Sequence, residues 1–125
     1  MKLFVTTLLT LALIVGLCIW GTAASASIID DLLSELHRVP ADSGNVPQNA
    51  SEVSENILAI WEEKMFIISM FHPHEHLDEV KEKMIALQSY ADAEEYAEWA
   101  EAHNNLEEAL LHLRDLLAAN VDNIL

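Results

Sequence analysis

The stretch YAEWAEAHNNLEEALLHLRDLLAANVDNIL, residues 96–125, decides the fold. Trp99, His103, Leu106, Leu110, Leu113, Leu117, Val121 and Ile124 step through it by four and three in alternation, the spacing that keeps one seam of an α-helix against a partner. Glu98 and Glu101 fall on the other side, so this is a long amphipathic helix whose apolar face needs cover from elsewhere in the chain. Asn120 and Asn123 predict fraying before Leu125, and Asp92 with Glu95 three residues on has capping-box spacing, which starts the helix near Ala93.

Working upstream, Leu77, Val80, Met84, Leu87 and Ala91 make the buried face of a second helix, with Pro73 suited to its first turn because a missing N–H costs nothing there. Before it, Ser51 is placed to cap a helix whose stripe of Val53, Ile57, Ile60, Trp61, Met65 and Ile68 is widened by Leu58, Phe66, Ile67 and Phe71. That helix is expected to end at His72, since the residue before a proline is pushed out of the α region. Residues 39–50 hold Pro40, Gly44 and Pro47 among Asp42, Ser43, Asn45 and Asn49 and read as a loop. Ile28, Ile29, Leu32, Leu33 and Leu36 predict one more amphipathic helix, over 28–38. No strand alternation appears, and Gly44 is the only glycine after residue 26. The fold class is all-α: a small antiparallel three- to four-helix bundle after an N-terminal apolar export segment. Glu62, Glu63, Glu79, Glu82 and Glu94 join Glu98 and Glu101 as a solvated acidic surface.

The export segment is residues 1–26, and the acidic helical domain is 27–125. Lys2 precedes an uncharged run from Leu3 to Gly21, followed by Ala24-Ser25-Ala26, which has the form of a signal-peptide cleavage site. Cleavage after Ala26 releases a secreted chain, whereas an uncut run is long enough to span roughly 30 Å of hydrocarbon, although Thr6, Thr7, Thr10 and Gly16 dilute it. Either way Lys2 stays inside and the acidic part is extracytoplasmic. Leu17 is too large for the position before a lipidated cysteine, so Cys18 reads as an apolar residue of the segment. Residues 27–125 contain no cysteine, and their stability must come from packing without a disulfide.

With 21 acidic residues against 6 Lys and Arg, the formal charge is -15 over 125 residues, enough for one small domain. Such a chain repels phosphate backbones, which excludes nucleic-acid partners, and it lacks the basic stripe of a membrane-surface helix. Membrane attachment therefore runs only through the N-terminal apolar segment.

A tryptophan-bearing helix, then His74-Glu75-His76-Leu77-Asp78-Glu79-Val80, a helix ending near Tyr90, an acidic step at Asp92, a long leucine helix and a terminal Asn123-Ile124-Leu125 together resemble a bacterial family, the domain of unknown function 4363. The resemblance covers roughly residues 54–125, with its most specific pieces at His74 and Asp78 and at the terminal Asn-Ile-Leu. It implies a membrane-associated or exported helical protein and supplies no reaction.

Two kinds of candidate residues remain. His72, His74 and His76, beside Glu75, Asp78 and Glu79, are the densest set of possible metal ligands, and imidazole with carboxylate suits Zn²⁺ or Cu²⁺. On a helix His74 points away from the other two, so a tight site needs a ligand from another helix, such as His37, His103 or His112. His103, on the leucine seam, reads instead as a half-buried histidine hydrogen-bonded to a neighbour, and Glu107 and Glu108 sit at ordinary helix-pair spacing from His103 and His112. The second kind is aromatic: Trp61, Phe66, Phe71, Tyr96 and Trp99 are more apolar surface than so small a bundle easily buries, and they suggest a face that docks a protein partner or a second copy. His-Glu-x-x-His, Glu-x-x-His, Gly-x-Ser-x-Gly and phosphate-cradling glycine motifs are missing, so a non-enzymatic role with no cofactor is expected.

Overall fold

A computed structural model describes residues 1–39, 47–70 and 74–124, which form four helices: α1 (Lys2–Leu36), α2 (Ala50–Ser69), α3 (His74–Asp92) and α4 (Tyr96–Ile124). No strand occurs among the described residues. Each helix packs on its neighbours in sequence and α4 closes the ring on α1, while among the described residues the diagonal pairs α1 with α3 and α2 with α4 make no close approach. Cross-helix pairs fix the directions. Asp30 and His37 of α1 meet Arg114 and Glu107 of α4, and Ser51 and Glu62 of α2 meet Asp92 and Lys81 of α3. In both cases numbers rise on one helix as they fall on the other, the register of an antiparallel four-helix bundle.

The core follows the apolar spacing. Leu77, Val80, Met84, Leu87 and Ala91 of α3 are buried, as are Trp99, His103, Leu106, Leu110, Leu113 and Leu117 of α4. From α2 come Val53, Ile57, Trp61 and Ile68, with Ile60 and Met65 partly buried beside them. From α1 come Ile28, Ile29, Leu32, Leu33 and Leu36. All the glutamates expected on the acidic surface are exposed.

Several ends differ from expectation. The apolar run and the helix expected over 28–38 are one uninterrupted helix of 35 residues, because Ala23 to Ser27 contains no proline and its alanines are the best helix formers. Val39, expected in the loop, is fully buried, and residues 40–46 lie outside the described residues. α2 closes at Ser69 with Met70 as its C-cap, and the expected end at His72 lies outside the described residues. Asn49 takes the N-cap position of α2 without a side-chain bond. Ser51 Oγ instead donates to Asp92 Oδ1 at 2.6 Å, so the two expected caps pair with each other across α2 and α3.

α4 begins at Tyr96 rather than near Ala93 because α3 ends in a Schellman turn. The Glu95 N–H donates to the Tyr90 carbonyl and the Glu94 N–H to the Ala91 carbonyl, with Glu94 at φ 56 in the left-handed region that glycine usually takes.

Candidate functional site

α1 changes character at Gly21. Above it Gly21, Thr22, Ser25, Ile28, Ile29, Leu32, Leu33 and Leu36 are buried against α2 and α4. Below it, along the 18 residues from Leu3 to Trp20, eleven large apolar side chains are exposed, and among the described residues only Ile19 of these borders another helix, α4. Those 18 residues rise about 27 Å at 1.5 Å each, close to the hydrocarbon thickness of a bilayer. α1 is thus long and apolar enough to cross a membrane, by length and composition, and a signal sequence meets the same description.

The threonines expected to dilute this segment are internally satisfied. Thr6, Thr7 and Thr10 each donate their hydroxyl to the carbonyl four residues earlier at 2.8 Å, as does Thr22 to Cys18. A hydroxyl bonded back to its own helix exposes mainly its methyl group, the form tolerated in lipid.

The expected aromatic face is corrected. Trp61 and Trp99 are fully buried core residues and cannot dock a partner, because each lies on the inward stripe of its helix. Tyr96 is half-buried, its ring 6.5 Å from that of Trp99. Phe71 lies outside the described residues. Phe66 remains as the exposed member, and Met70 one turn later joins it, a residue the sequence had not singled out.

Of the histidine set, His74 and His76 are exposed on the first turn of α3 and His72 lies outside the described residues. The His76 ring faces that of His112 across α3 and α4, centroids 6.5 Å apart. The other two histidines considered as ligands are engaged elsewhere: His37 with Glu107 at 3.2 Å, and His103 with α1. Among the described residues no three His, Cys, Asp or Glu side chains converge as a metal cluster.

His103 has a structural duty. It is 4% exposed, and its Nε2 donates at 3.1 Å to the carbonyl of Leu36, the last residue of α1, whose helix supplies that oxygen no intrahelical partner. Its ring lies against Trp99 with centroids 5.4 Å apart. Sequence spacing placed it on the seam, but only packing brings it to the end of α1.

Between α1 and α4, where α1 leaves the bundle, Ile19, Thr22, Ala23, Ala26, Leu117 and Ala118 line an open, largely apolar groove of about 390 Å³ with Arg114 at its edge. A smaller groove of mixed lining between α3 and α4 is bordered by Lys83, Ala86, Tyr90, Glu98, Glu101, Ala102 and Asn105.

The family model described as Domain of unknown function (DUF4363) matches residues 20–124, starting one residue before burial begins on α1. No curated protein and no solved structure matches the chain.

Proposed function

The chain belongs to the DUF4363 family, and on that premise we propose that it is a membrane-anchored, extracytoplasmic helical module without enzymatic activity that works through protein contacts. One observation carries this reading: α1 is a single helix that is bare and apolar up to Trp20 and part of the core from Gly21 onward. Cleavage after Ala26 removes Gly21, Thr22 and Ser25 from their packing against the bundle, whereas an uncut α1 lets one rigid element serve both as span and as core helix. Lys2 on the inner side and Asp30, Asp31 and Glu35 on the outer side orient it.

Mass spectrometry of the protein taken from cells tests the anchor. The expected result is the full 14.0 kDa chain in the membrane fraction, resistant to alkaline extraction. A chain beginning at Ser27 in the soluble fraction overturns it. For the contacts, photo-crosslinkers placed on the exposed outer faces of α2 and α3 in intact membranes are expected to capture a protein neighbour or a second copy. Monomer alone from every position removes the protein-contact reading.

A second reading is favoured by the approach of His76 to His112: a cell-envelope metal-binding protein in which His72, His74 and His76 bind Zn²⁺ or Cu²⁺ with help from α4. Calorimetric titration of the full chain with each metal, beside the triple histidine-to-alanine variant, separates the two. Binding lost in the variant supports the metal reading; binding unchanged in the variant, or none in either protein, ends it.

A further inference from the structure

We infer that the end of the bundle from which α1 emerges rests in the headgroup layer of the membrane that α1 crosses, with Phe66 and Met70 as its apolar footing. The inference depends on the anchored reading of α1.

The argument is one of height. α2 runs antiparallel to α1, and Asn56 Nδ2 donates to Glu35 Oε1 at 3.2 Å, which sets the register between them. Stepping down from that pair, Phe66 comes level with Ser25 and Met70 with Gly21. At about 1.5 Å per residue they stand roughly 7 Å and 2 Å above Trp20. An exposed indole marks the edge of the hydrocarbon, and the headgroup region beyond that edge is about 5–7 Å deep. Met70 falls within it and Phe66 stands at its outer edge.

Their exposure has no explanation inside the bundle. Phe66 is 74% and Met70 54% exposed, one turn apart on α2, and together they make a compact apolar patch. Among the described residues the other exposed large apolar side chains outside α1 are Ile85 and Leu111, and the pairs Glu62 with Lys81 and Asp30 with Arg114 place both near the level of Leu33, roughly 20 Å above Trp20. On the opposite side of α1, the groove of Ile19, Thr22, Ala23, Ala26 and Leu117 lies at the same height as Phe66 and Met70. Apolar surface thus lies both on α2 and between α1 and α4 at the level where α1 leaves the bundle, and through Ile19 the groove runs on into the bare segment below. Charge cannot supply this contact, since a chain of net charge -15 repels anionic headgroups; apolar insertion can.

The test uses the full chain with Cys18→Ser, reconstituted in phosphatidylcholine vesicles, carrying one nitroxide at a time at Leu13→Cys, Phe66→Cys, Met70→Cys or Ile85→Cys. Collision of the label with oxygen reports lipid, and collision with a water-soluble nickel chelate reports solvent. The labels at 66 and 70 are expected to lie between those at 13 and 85, with nickel access well below that at 85, and adding Phe66→Glu is expected to restore nickel access at 70. If positions 66 and 70 match 85 while 13 reports lipid, the footing is wrong and the anchor stands. If 13 reports water, the anchored reading fails and takes the footing with it.

Discussion

From Leu3 to Trp20 α1 exposes eleven large apolar side chains, and from Gly21 to Leu36 the same helix buries nearly all that it has. The two halves differ in how apolar they are, since only the upper one carries charges, and also in how that apolarity is arranged. Below Gly21 it runs around the whole circumference, so no single neighbour can cover it and a lipid surround suits it. Above, it narrows to the steps Thr22, Ser25, Ile29, Leu32 and Leu36, with Asp30, Asp31 and Glu35 elsewhere on the helix. A stripe of that width is matched by two neighbouring helices. The division teaches that one continuous backbone can serve two solvents when only the side chains along it change.

The sharpest way to break this comparison is to make one substitution in each half. Leu36→Ala removes a fully buried side chain between α2 and α4 and is expected to destabilise the bundle by about 2–5 kcal/mol. Leu11→Ala, at a position 57% exposed, is expected to leave stability unchanged. Urea unfolding of the full chain in detergent micelles, followed by tryptophan fluorescence, reads both, since Trp61 and Trp99 are core residues. Similar losses from the two variants mean that the lower half also packs on protein.

The reciprocal change, Leu11→Asp, is aimed at the lower half alone. A carboxylate in place of leucine near the centre of a spanning helix costs about 3–4 kcal/mol of insertion. The membrane-bound fraction is expected to fall sharply while the unfolding midpoint in micelles holds. A chain that stays membrane-bound with Asp at position 11 shows that this segment is not what holds it there.

The boundary between the halves was the part of the fold least legible in the sequence, and the reason is physical. Leu77 to Ala91 and Trp99 to Leu117 announce their buried faces because large apolar residues alternate with charges. Around Ala24-Ser25-Ala26 every residue is small, so no hydropathy contrast marks the inward side, and the same residues satisfy the pattern of a cleavage site. Burial of Ser25 and Thr22 emerges only when α4 is laid alongside. The aromatic face failed for a related reason. Trp61 and Trp99 sit on the inward stripes of their helices, so a total of aromatic surface says nothing about how much of it faces out. Phe66, off the stripe centre, stayed outside, and Met70 beside it carried no signal except its distance from the end of α2.

How the upper half is finished can be probed at His103. Replacing it by leucine keeps the volume roughly and removes the donor to Leu36. The Leu36 carbonyl still accepts from the Val39 N–H at 3.3 Å, so the carbonyl is not orphaned and the expected loss is about 1 kcal/mol. Amide hydrogen exchange near the end of α1 should quicken with it, while amides below Gly21 keep their protection. A loss as large as that of Leu36→Ala means that His103 organises the core beyond its single bond.

The smallest effect separates packing from charge in holding the upper half to α4. Arg114 and Asp30 approach to 3.3 Å, but both side chains are about half exposed, so water and salt screen the pair and ordering two flexible side chains offsets much of what remains. Asp30→Asn is therefore expected to change stability by less than about 1 kcal/mol, and by still less when the salt concentration is raised. The carboxylate also belongs to a chain already at net charge -15, so removing it relieves some repulsion and can cancel the lost attraction altogether. A salt-dependent loss several times larger shows that α1 is clipped to α4 by charge. In that case the stripe of Ile29, Leu32 and Leu36 is not the main difference between the two halves of the helix.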